Sequence, residues 1–333
     1  MFRLKKLLVI RFSSIGDIIL TTPIVRCLKK YFPECEIHYL TKQAFKPILK
    51  ANPYITKIIT IDKRINEALP ILRAEKYDFV VDLHKNFRSI GVRLALGGKS
   101  SSFPKLNFKK WLLVNFKINL LPNIHIVDRY FEAIESMGVK NDNSGLDYFI
   151  PEMEPSAFDL IPESHRSGYV AMVIGGKHKT KQMPVELSVR LVKEISYPVI
   201  ILGGPDDSTE GSIIESEAGN QVWSACGKLS INQSAMLIKQ AKVVITNDTG
   251  LMHIAAAFKK QIISIWGNTI QEFGMYPYIP SNKDLYRIFE VNGLDCRPCS
   301  KIGFDKCPKK HFNCMMKQDI NAIAMCTSKM WEN

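Results

Sequence analysis

The stretch VIRFSSIGDIILTTPIVRCL, residues 9–28, joins a buried strand to a helix through a polar turn. The apolar run ends at Arg11, and the turn SSIGD (13–17) follows it. Apolar residues then return at the spacing of a helix that packs on one face. The stretch therefore predicts a β-turn-α unit that carries a carboxylate, Asp17, where the strand gives way to the helix.

The same alternation of short apolar runs and amphipathic segments continues along the chain and predicts two parallel sheets with helices on both faces. Candidate strands in the first half are 7–10, 36–40, 57–61 and 79–83. Candidate strands in the second half are 169–174, 198–202, 243–246 and 261–266. The segment 141–168, rich in Asn, Asp, Pro, Ser and Glu, separates the halves. We therefore predict Rossmann-like domains at 1–155 and 156–333, and no periodic element within 97–125.

Composition places the chain among soluble globular proteins, with 46% hydrophobic and 23% charged residues in 333. No apolar stretch approaches the roughly 18 residues of a membrane span. The apolar patch before Arg11 is too short for the core of a signal peptide, which predicts a cytoplasmic protein. Residues 1–160 hold 25 Lys and Arg against 16 Asp and Glu. This excess suggests a polyanionic partner, whereas a solvated basic surface is the alternative.

Four polar turns follow predicted strands, where parallel α/β sheets bind ligands. In SSIGD, Gly16 frees the backbone, Ser13 or Ser14 can cap the helix, and Asp17 lies in or near its first turn. The alternative is that Asp17 only complements the helix dipole. In TNDTGLMH (246–253), a Thr-Gly pair at a helix start exposes amide groups to a phosphate, and a histidine follows in the first turn. The alternative is an Asx turn followed by a surface histidine.

The other two turns carry lysines and aspartates. GGKHKTKQMP (175–184) offers three lysines, Lys177, Lys179 and Lys181, to a phosphate, or forms a solvated basic loop. GGPDD (203–207) places Asp206 and Asp207 where an acidic residue can hold ribose hydroxyls. The chain has no G-x-G-x-x-G after its first strand and no Walker A motif, which argues against nicotinamide and P-loop chemistry.

Several motifs together resemble glycosyltransferase family 9, the ADP-heptose:lipopolysaccharide heptosyltransferases. They are RFSSIGDIILTTP (11–23), VVDLHKNFRS (80–89), IHIVDRYFEAIESMGV (124–139), TNDTGLMHIAAA (246–257) and the closing CRPCSKIGFDKC (296–307). The resemblance implies a GT-B fold, in which two Rossmann-like domains face each other across a cleft. It also implies that the N-terminal domain binds the lipid A–inner core acceptor and that the C-terminal domain binds the nucleotide-heptose.

The resemblance assigns roles to individual residues. Asp17 becomes the catalytic base. The donor contacts it implies are Lys181, Asp206 (or Asp207), Asp248, Thr249, Gly250 and His253. We add Ser13, Ser14, Lys85 and Arg88 as expected acceptor contacts. One base without a second carboxylate nucleophile predicts direct displacement with inversion, and the absence of a D-x-D element agrees with metal-free catalysis.

The expected reaction moves heptose from ADP-heptose to the inner core, either to Kdo-lipid A or to a heptosylated form of it. Two departures from the family pattern leave alternatives open. Lys181-Gln182-Met183-Pro184 replaces the usual Lys-Arg-Trp-Pro, and Gly267-Asn268-Thr269 replaces Gly-Pro-Thr. Either the donor pocket is reshaped or the sugar differs from heptose. A nucleotide-sugar epimerase of GT-B-like fold is the other enzymatic alternative.

Partners and the cysteines complete the expectations. The basic first half, with Lys105, Lys109 and Lys110 among aromatic residues, suits an anionic inner-membrane surface, and the enzyme is expected to be peripheral to its cytoplasmic face. The chain shows no RNP or helix-turn-helix pattern, so no nucleic acid is expected.

The cysteine-rich segment 296–314 is followed by a C-terminal helix that we expect to pack back on the N-terminal domain. Cys296, Cys299, Cys307 and Cys314 could bind a structural zinc, although reduced packing thiols are the favoured interpretation.

Overall fold

The computed structural model describes residues 4–332, which divide into two compact units. The first unit comprises residues up to 106 together with 124–151, and the second comprises 107–123 with the rest of the chain from 152. The prediction had placed 107–123 in the first domain and the boundary at 155. The structure differs because residues 107–123 make their contacts with the second unit, a relation that no local pattern encodes.

The first unit is built on a five-stranded parallel sheet of order β3-β2-β1-β4-β5. Its strands are β1 (Lys6–Ile10), β2 (Glu36–Lys42), β3 (Lys57–Ile61), β4 (Phe79–Asp82) and β5 (Ser100–Ser102). Its helices are α1 (Ile15–Ile19), α2 (Thr22–Tyr31), α3 (Lys46–Leu49), α4 (Leu69–Glu75), α5 (Phe87–Leu96) and α7 (Ile126–Phe131). The central strand β1 is fully buried from Leu7 onward, as its continuous apolar run predicts.

The second unit is built on a six-stranded parallel sheet of order β11-β10-β9-β6-β7-β8. Its strands are β6 (Val170–Val173), β7 (Val199–Leu202), β8 (Val222–Ser224), β9 (Val243–Asn247), β10 (Gln261–Trp266) and β11 (Tyr286–Glu290). Its helices are α6 (Asn107–Phe116), α8 (Val185–Glu194), α9 (Ser208–Ala218), α10 (Ile231–Gln240), α11 (Gly250–Ala257), α12 (Asn313–Met316) and α13 (Ile320–Glu332). Two doubly wound, Rossmann-like sheets are thus confirmed, as the GT-B prediction requires.

One local prediction was wrong. Residues 97–125 are not without periodic structure, since they contain β5 and the ten-residue helix α6. The C-terminal helix α13 places Ile320, Ile323 and Met330 in the core of the second unit. Its apolar face is buried against α8, β9 and β10. Within residues 4–332, no helix is both long and apolar enough to cross a membrane.

Candidate active site

In the first unit, Asp17 is the third residue of α1, next to the carboxyl end of β1. The Arg11 Nη2 atom lies 2.6 Å from Asp17 Oδ1. Asp17 Oδ2 accepts hydrogen bonds from Ser14 Oγ at 2.7 Å and from Ser14 N at 3.1 Å. The carboxylate is therefore held from two sides, while 23% of the Asp17 side chain remains exposed.

The electrostatics of this turn keep Asp17 ionised. Burial alone would raise the pKa of the carboxyl, but the Arg11 guanidinium and the two Ser14 hydrogen bonds outweigh it and lower the pKa to about 2. Arg11 is itself fixed, because it donates to Leu83 O at 2.5 Å and to Tyr130 Oη at 3.0 Å. Asp17 is thus ionised at neutral pH and is paired with a buried guanidinium at the start of α1.

The expected acceptor residues are in different environments. Ser14 is exposed and engages Asp17, while the Ser13 carbonyl accepts from Arg11 Nε at 2.9 Å. Lys85 is partly buried, and its Nζ donates to Phe103 O at 2.9 Å. Arg88 is exposed, and its guanidinium lies 5.7 Å from the centre of the Phe12 ring. Arg88 therefore remains the stronger candidate for an anionic acceptor.

His84, two residues after the end of β4, was not singled out from the sequence. Its ring packs edge-on against Phe12 at 5.0 Å. Burial, with the nearby charges of Arg11 and Lys105, lowers the pKa of His84 to about 3, so the imidazole is neutral at pH 7. Its Nδ1 atom is buried and has no hydrogen-bond partner within residues 4–332. A histidine directly after a predicted strand was the signal that could have found it.

In the second unit, Asp248 is the centre of a buried polar cluster at the carboxyl edge of the sheet. Lys181 Nζ donates to Asp248 Oδ2 at 2.5 Å, and Thr269 Oγ1 donates to the same oxygen at 3.0 Å. Asp248 is 9% exposed, and the Lys181 side chain is 17% exposed. The structure thus brings together two predicted residues 67 positions apart and adds Thr269, which had not been assigned a role.

The helix α11 begins beside this cluster. Thr249 is its N-cap, whose side chain accepts from Leu251 N at 3.2 Å, and Gly250 is its first residue. His253 lies in the first turn and is 2% exposed, so the alternative of a surface histidine is wrong. The helix start supplies amide donors and a partial positive charge that suit a phosphate.

The two aspartates after β7 differ in environment. Asp207 is buried, accepts from Gly204 N at 2.8 Å and lies 3.4 Å from Gln182 Nε2. A side chain at Gly175 would place a Cβ 2.5 Å from Asp207 Oδ2, so a glycine there makes room for the carboxylate. Asp206 is exposed, which leaves it as the residue of the pair open to a ribose.

The residues that replace the usual Arg-Trp pair have structural partners. Gln182 Nε2 donates to Gly176 O at 2.8 Å and so ties the lysine loop to the turn after β6. Met183 is 5% exposed and packs in the core of the second unit. Burial and local hydrogen bonding thus explain how this chain accommodates the two substitutions.

The four clustered cysteines lie in one neighbourhood. Burial raises the pKa of Cys299, and the nearby Cys296 and Cys307 raise it further. Burial raises the pKa of Cys314 to about 12. Burial therefore favours the neutral thiol at Cys299 and at Cys314. Among residues 4–332, the side chains spaced for a metal are Glu36, His38 and Glu75, but Lys6 and Lys57 already pair with Glu75.

Two doubly wound sheets with a fixed carboxylate in one unit and a lysine–aspartate pair beside a helix start in the other define a two-domain α/β enzyme of the glycosyltransferase class. The model of glycosyltransferase family 9 (heptosyltransferase) matches residues 69–303, and the chain belongs to this family. The chain is 25% identical over 298 residues to lipopolysaccharide heptosyltransferase 1 of Campylobacter coli, covering 79% of this chain and 84% of that protein.

Solved structures share the fold. A family 9 glycosyltransferase from Veillonella parvula aligns with a TM-score of 0.78 at 21% identity, over 98% of this chain and 97% of that one. The E. coli heptosyltransferase WaaC with ADP aligns with a TM-score of 0.66 at 18% identity, over 98% of this chain and 99% of that one.

Proposed function

We propose that the protein transfers heptose from ADP-heptose to the inner core of lipopolysaccharide, with Kdo-lipid A or a heptosylated form as acceptor. Family membership and the names of the relatives support this donor and this acceptor. The observation that carries the proposal is the Lys181–Asp248–Thr269 cluster beside the start of α11. A cation and the amides of a helix start in a largely buried site are what a pyrophosphate leaving group requires. The family match also favours a transferase over a nucleotide-sugar epimerase.

The proposed step is a single displacement. An acceptor hydroxyl attacks the anomeric carbon, the bond from that carbon to the ADP oxygen breaks, and the hydroxyl proton passes to Asp17. ADP leaves with the electron pair, and Lys181 with the amides at Thr249 and Gly250 stabilises its charge. His253 completes the phosphate contacts, and Asp206 holds the ribose. The configuration at the anomeric carbon inverts, because one displacement occurs.

A family 9 transferase for another sugar is the alternative. It rests on the sequence departure at Gln182 and Met183, which replace the usual Arg-Trp pair beside Lys181. The test gives the purified enzyme either ADP-heptose or another ADP-sugar, with Kdo-lipid A or its heptosylated form as acceptor, and identifies the product by mass spectrometry. Formation of the heptosylated acceptor supports the proposal, and transfer from another ADP-sugar alone contradicts it.

We expect transfer to be insensitive to EDTA. Lys181 and the helix start provide the positive charge that Mg²⁺ supplies in metal-dependent transferases. The rate should remain within about twofold of its value without chelator. Initial rates with EDTA, and with Mg²⁺ added back, make the measurement. A requirement for added Mg²⁺ would show that the side chains alone do not neutralise the leaving group.

The proposed membrane contact is centred on α6 rather than on the whole basic first half. Phe108, Trp111 and Phe116 are 68%, 46% and 59% exposed and contact one another in a row. Lys109 lies on the same helix. Lys105, grouped with it in the prediction, belongs to the first unit and donates to His84 O and Lys85 O. Exposed aromatic residues beside lysines suit the interface of an anionic bilayer, here the cytoplasmic face of the inner membrane.

Removing these aromatic groups should weaken membrane binding. We expect Phe108→Ser with Trp111→Ser to lower binding to phosphatidylglycerol–phosphatidylethanolamine vesicles several-fold, because apolar burial adds to electrostatic attraction. Wild-type binding should also fall as salt rises, since screening acts over about 8 Å at physiological ionic strength. Met153→Ser is the control, because Met153 is 93% exposed and distant in sequence from α6. Equal vesicle sedimentation of all three proteins would make α6 an ordinary solvated helix.

A further inference from the structure

The cysteine loop, residues 296–304, makes contacts that its thiols do not explain. Arg297, between Cys296 and Pro298, has a side chain only 7% exposed. Its guanidinium donates to four oxygens of the same unit: Gly267 O at 2.6 Å, Thr269 O at 2.7 Å, Val291 O at 3.3 Å and Glu290 Oε2 at 2.5 Å. A planar fork of donors can hold two carbonyls at fixed positions, which a lysine cannot do.

The two carbonyls belong to the turn that supports Asp248. Gly267 and Thr269 flank Asn268, and Thr269 Oγ1 donates to Asp248 Oδ2 at 3.0 Å. Asn268 is 1% exposed, and neither atom of its amide has a partner in the described part of the chain. The Asn268 side chain therefore does not hold the turn, and Arg297 does.

The other end of the cysteine loop holds the segment that carries Lys181. Thr180 N donates to Phe304 O at 3.0 Å, and Phe304 N donates to Thr180 Oγ1 at 2.8 Å. Gly303 has a φ of +119°, and a Cβ there would lie 2.6 Å from His178 Cβ, so the close approach requires glycine. The loop thus contacts the backbone of Thr180, the residue before Lys181, and the backbone of Thr269. Lys181 and Thr269 are the two side chains that donate to Asp248.

The loop is anchored on its far side by the segment that follows α6. Lys117 Nζ donates to Pro298 O at 2.7 Å and to Cys296 O at 3.4 Å. Both contacts lie within the second unit. Lys117 therefore anchors the CRPC segment. Arg297 of that segment in turn holds the turn 267–269 beside Asp248.

We infer that Arg297 is a positioning residue for the nucleotide-sugar site. This inference rests on the proposed function. The cysteine loop keeps the distance between the turn 267–269 and the loop 179–181 fixed. Asp248, Lys181 and Thr269 then meet the donor without rearrangement. Preorganisation of this kind matters because a displacement near 1 Å in a binding group costs up to about 10²-fold in rate.

The test compares ADP binding by Arg297→Lys and wild type. The lysine keeps a charge for Glu290 but cannot hold both carbonyls, so we expect ADP affinity to fall about tenfold by calorimetry. The rise in melting temperature that ADP produces should shrink as well, whereas a merely structural role would lower the melting temperature of both free and bound forms together. Arg287→Lys is the matched control, since Arg287 on β11 is half exposed and pairs with exposed Asp284.

Wild-type enzyme that binds no ADP would refute the proposed function itself. Wild-type binding together with ADP affinity within twofold of wild type in Arg297→Lys would overturn only the inference on Arg297. If Arg297→Lys does not fold, Lys117→Met tests the same loop from its far side. A several-fold loss of ADP affinity in Lys117→Met supports the inference, and unchanged affinity overturns it.

Discussion

Asp17→Asn should lower the rate of transfer by about 10²- to 10⁴-fold, which is the usual effect of removing a general base. The amide keeps the size of the carboxylate but cannot take the proton of the acceptor hydroxyl. ADP affinity should stay within a few-fold of wild type, because the proposed donor contacts lie in the second unit. Turnover at saturating donor and acceptor, with ADP binding by calorimetry, makes the measurement.

The control must separate catalysis from folding, since Asp17 pairs with the buried Arg11. Asp62→Asn removes an exposed carboxylate of the same unit and should leave turnover unchanged. Thermal unfolding of Asp17→Asn shows whether the loss of the ion pair destabilises the protein. A folded Asp17→Asn enzyme that retains more than half of wild-type turnover would restrict Asp17 to a role in the helix start.

The low pKa of Asp17 also predicts how its contributions to fold stability and to the transfer rate vary with pH. A folded-state pKa of about 2, below the unfolded value of 3.8, means that Asp17 stabilises the fold fully above pH 3.8. That stability is lost as the pH falls through about 2. Because Asp17 stays ionised between pH 5 and 8, its titration should cause no rise in the transfer rate across this range.

Lys181→Ala should weaken ADP and donor binding by about 10- to 100-fold, the effect of losing a charged hydrogen bond of roughly 1.5–3 kcal/mol. The substitution removes the cation proposed for the pyrophosphate and leaves the buried Asp248 carboxylate to accept the hydrogen bond from Thr269 Oγ1. Calorimetric titration with ADP measures the change, and His253→Ala should shift it in the same direction.

The chain offers a matched control two residues away. Lys179 belongs to the same loop, but its side chain is 54% exposed and pairs with Glu210 at 2.8 Å. Lys179→Ala should bind ADP as wild type does. Unchanged ADP affinity in both Lys181→Ala and His253→Ala would remove the phosphate assignment.

Much of the fold was accessible from local pattern, because a buried parallel strand must be apolar on both faces. Local patterns located β1, β2, β3, β4, β6, β7, β9 and β10. They missed β5, β8 and β11, which lie at or beside sheet edges. Edge strands are partly exposed, so polar residues such as the Ser100–Ser102 run occupy them without cost.

The sequence by itself determined where the polar turns that are candidates for the chemistry lie. Asp17 after β1 and the Thr249-Gly250 helix start after β9 follow from short-range patterns, since each strand–turn–helix unit spans few residues. Family resemblance added roles for these residues, and family membership is confirmed.

Only the tertiary structure decided what surrounds those turns. Arg11 meets Asp17 because Leu83 O and Tyr130 Oη, from other parts of the chain, orient its guanidinium. Lys181 and Asp248 are 67 residues apart in sequence but 2.5 Å apart in space, because β9 lies beside β6 in the sheet. Side-chain partners of this kind depend on strand order and long-range packing, which local residue patterns do not encode.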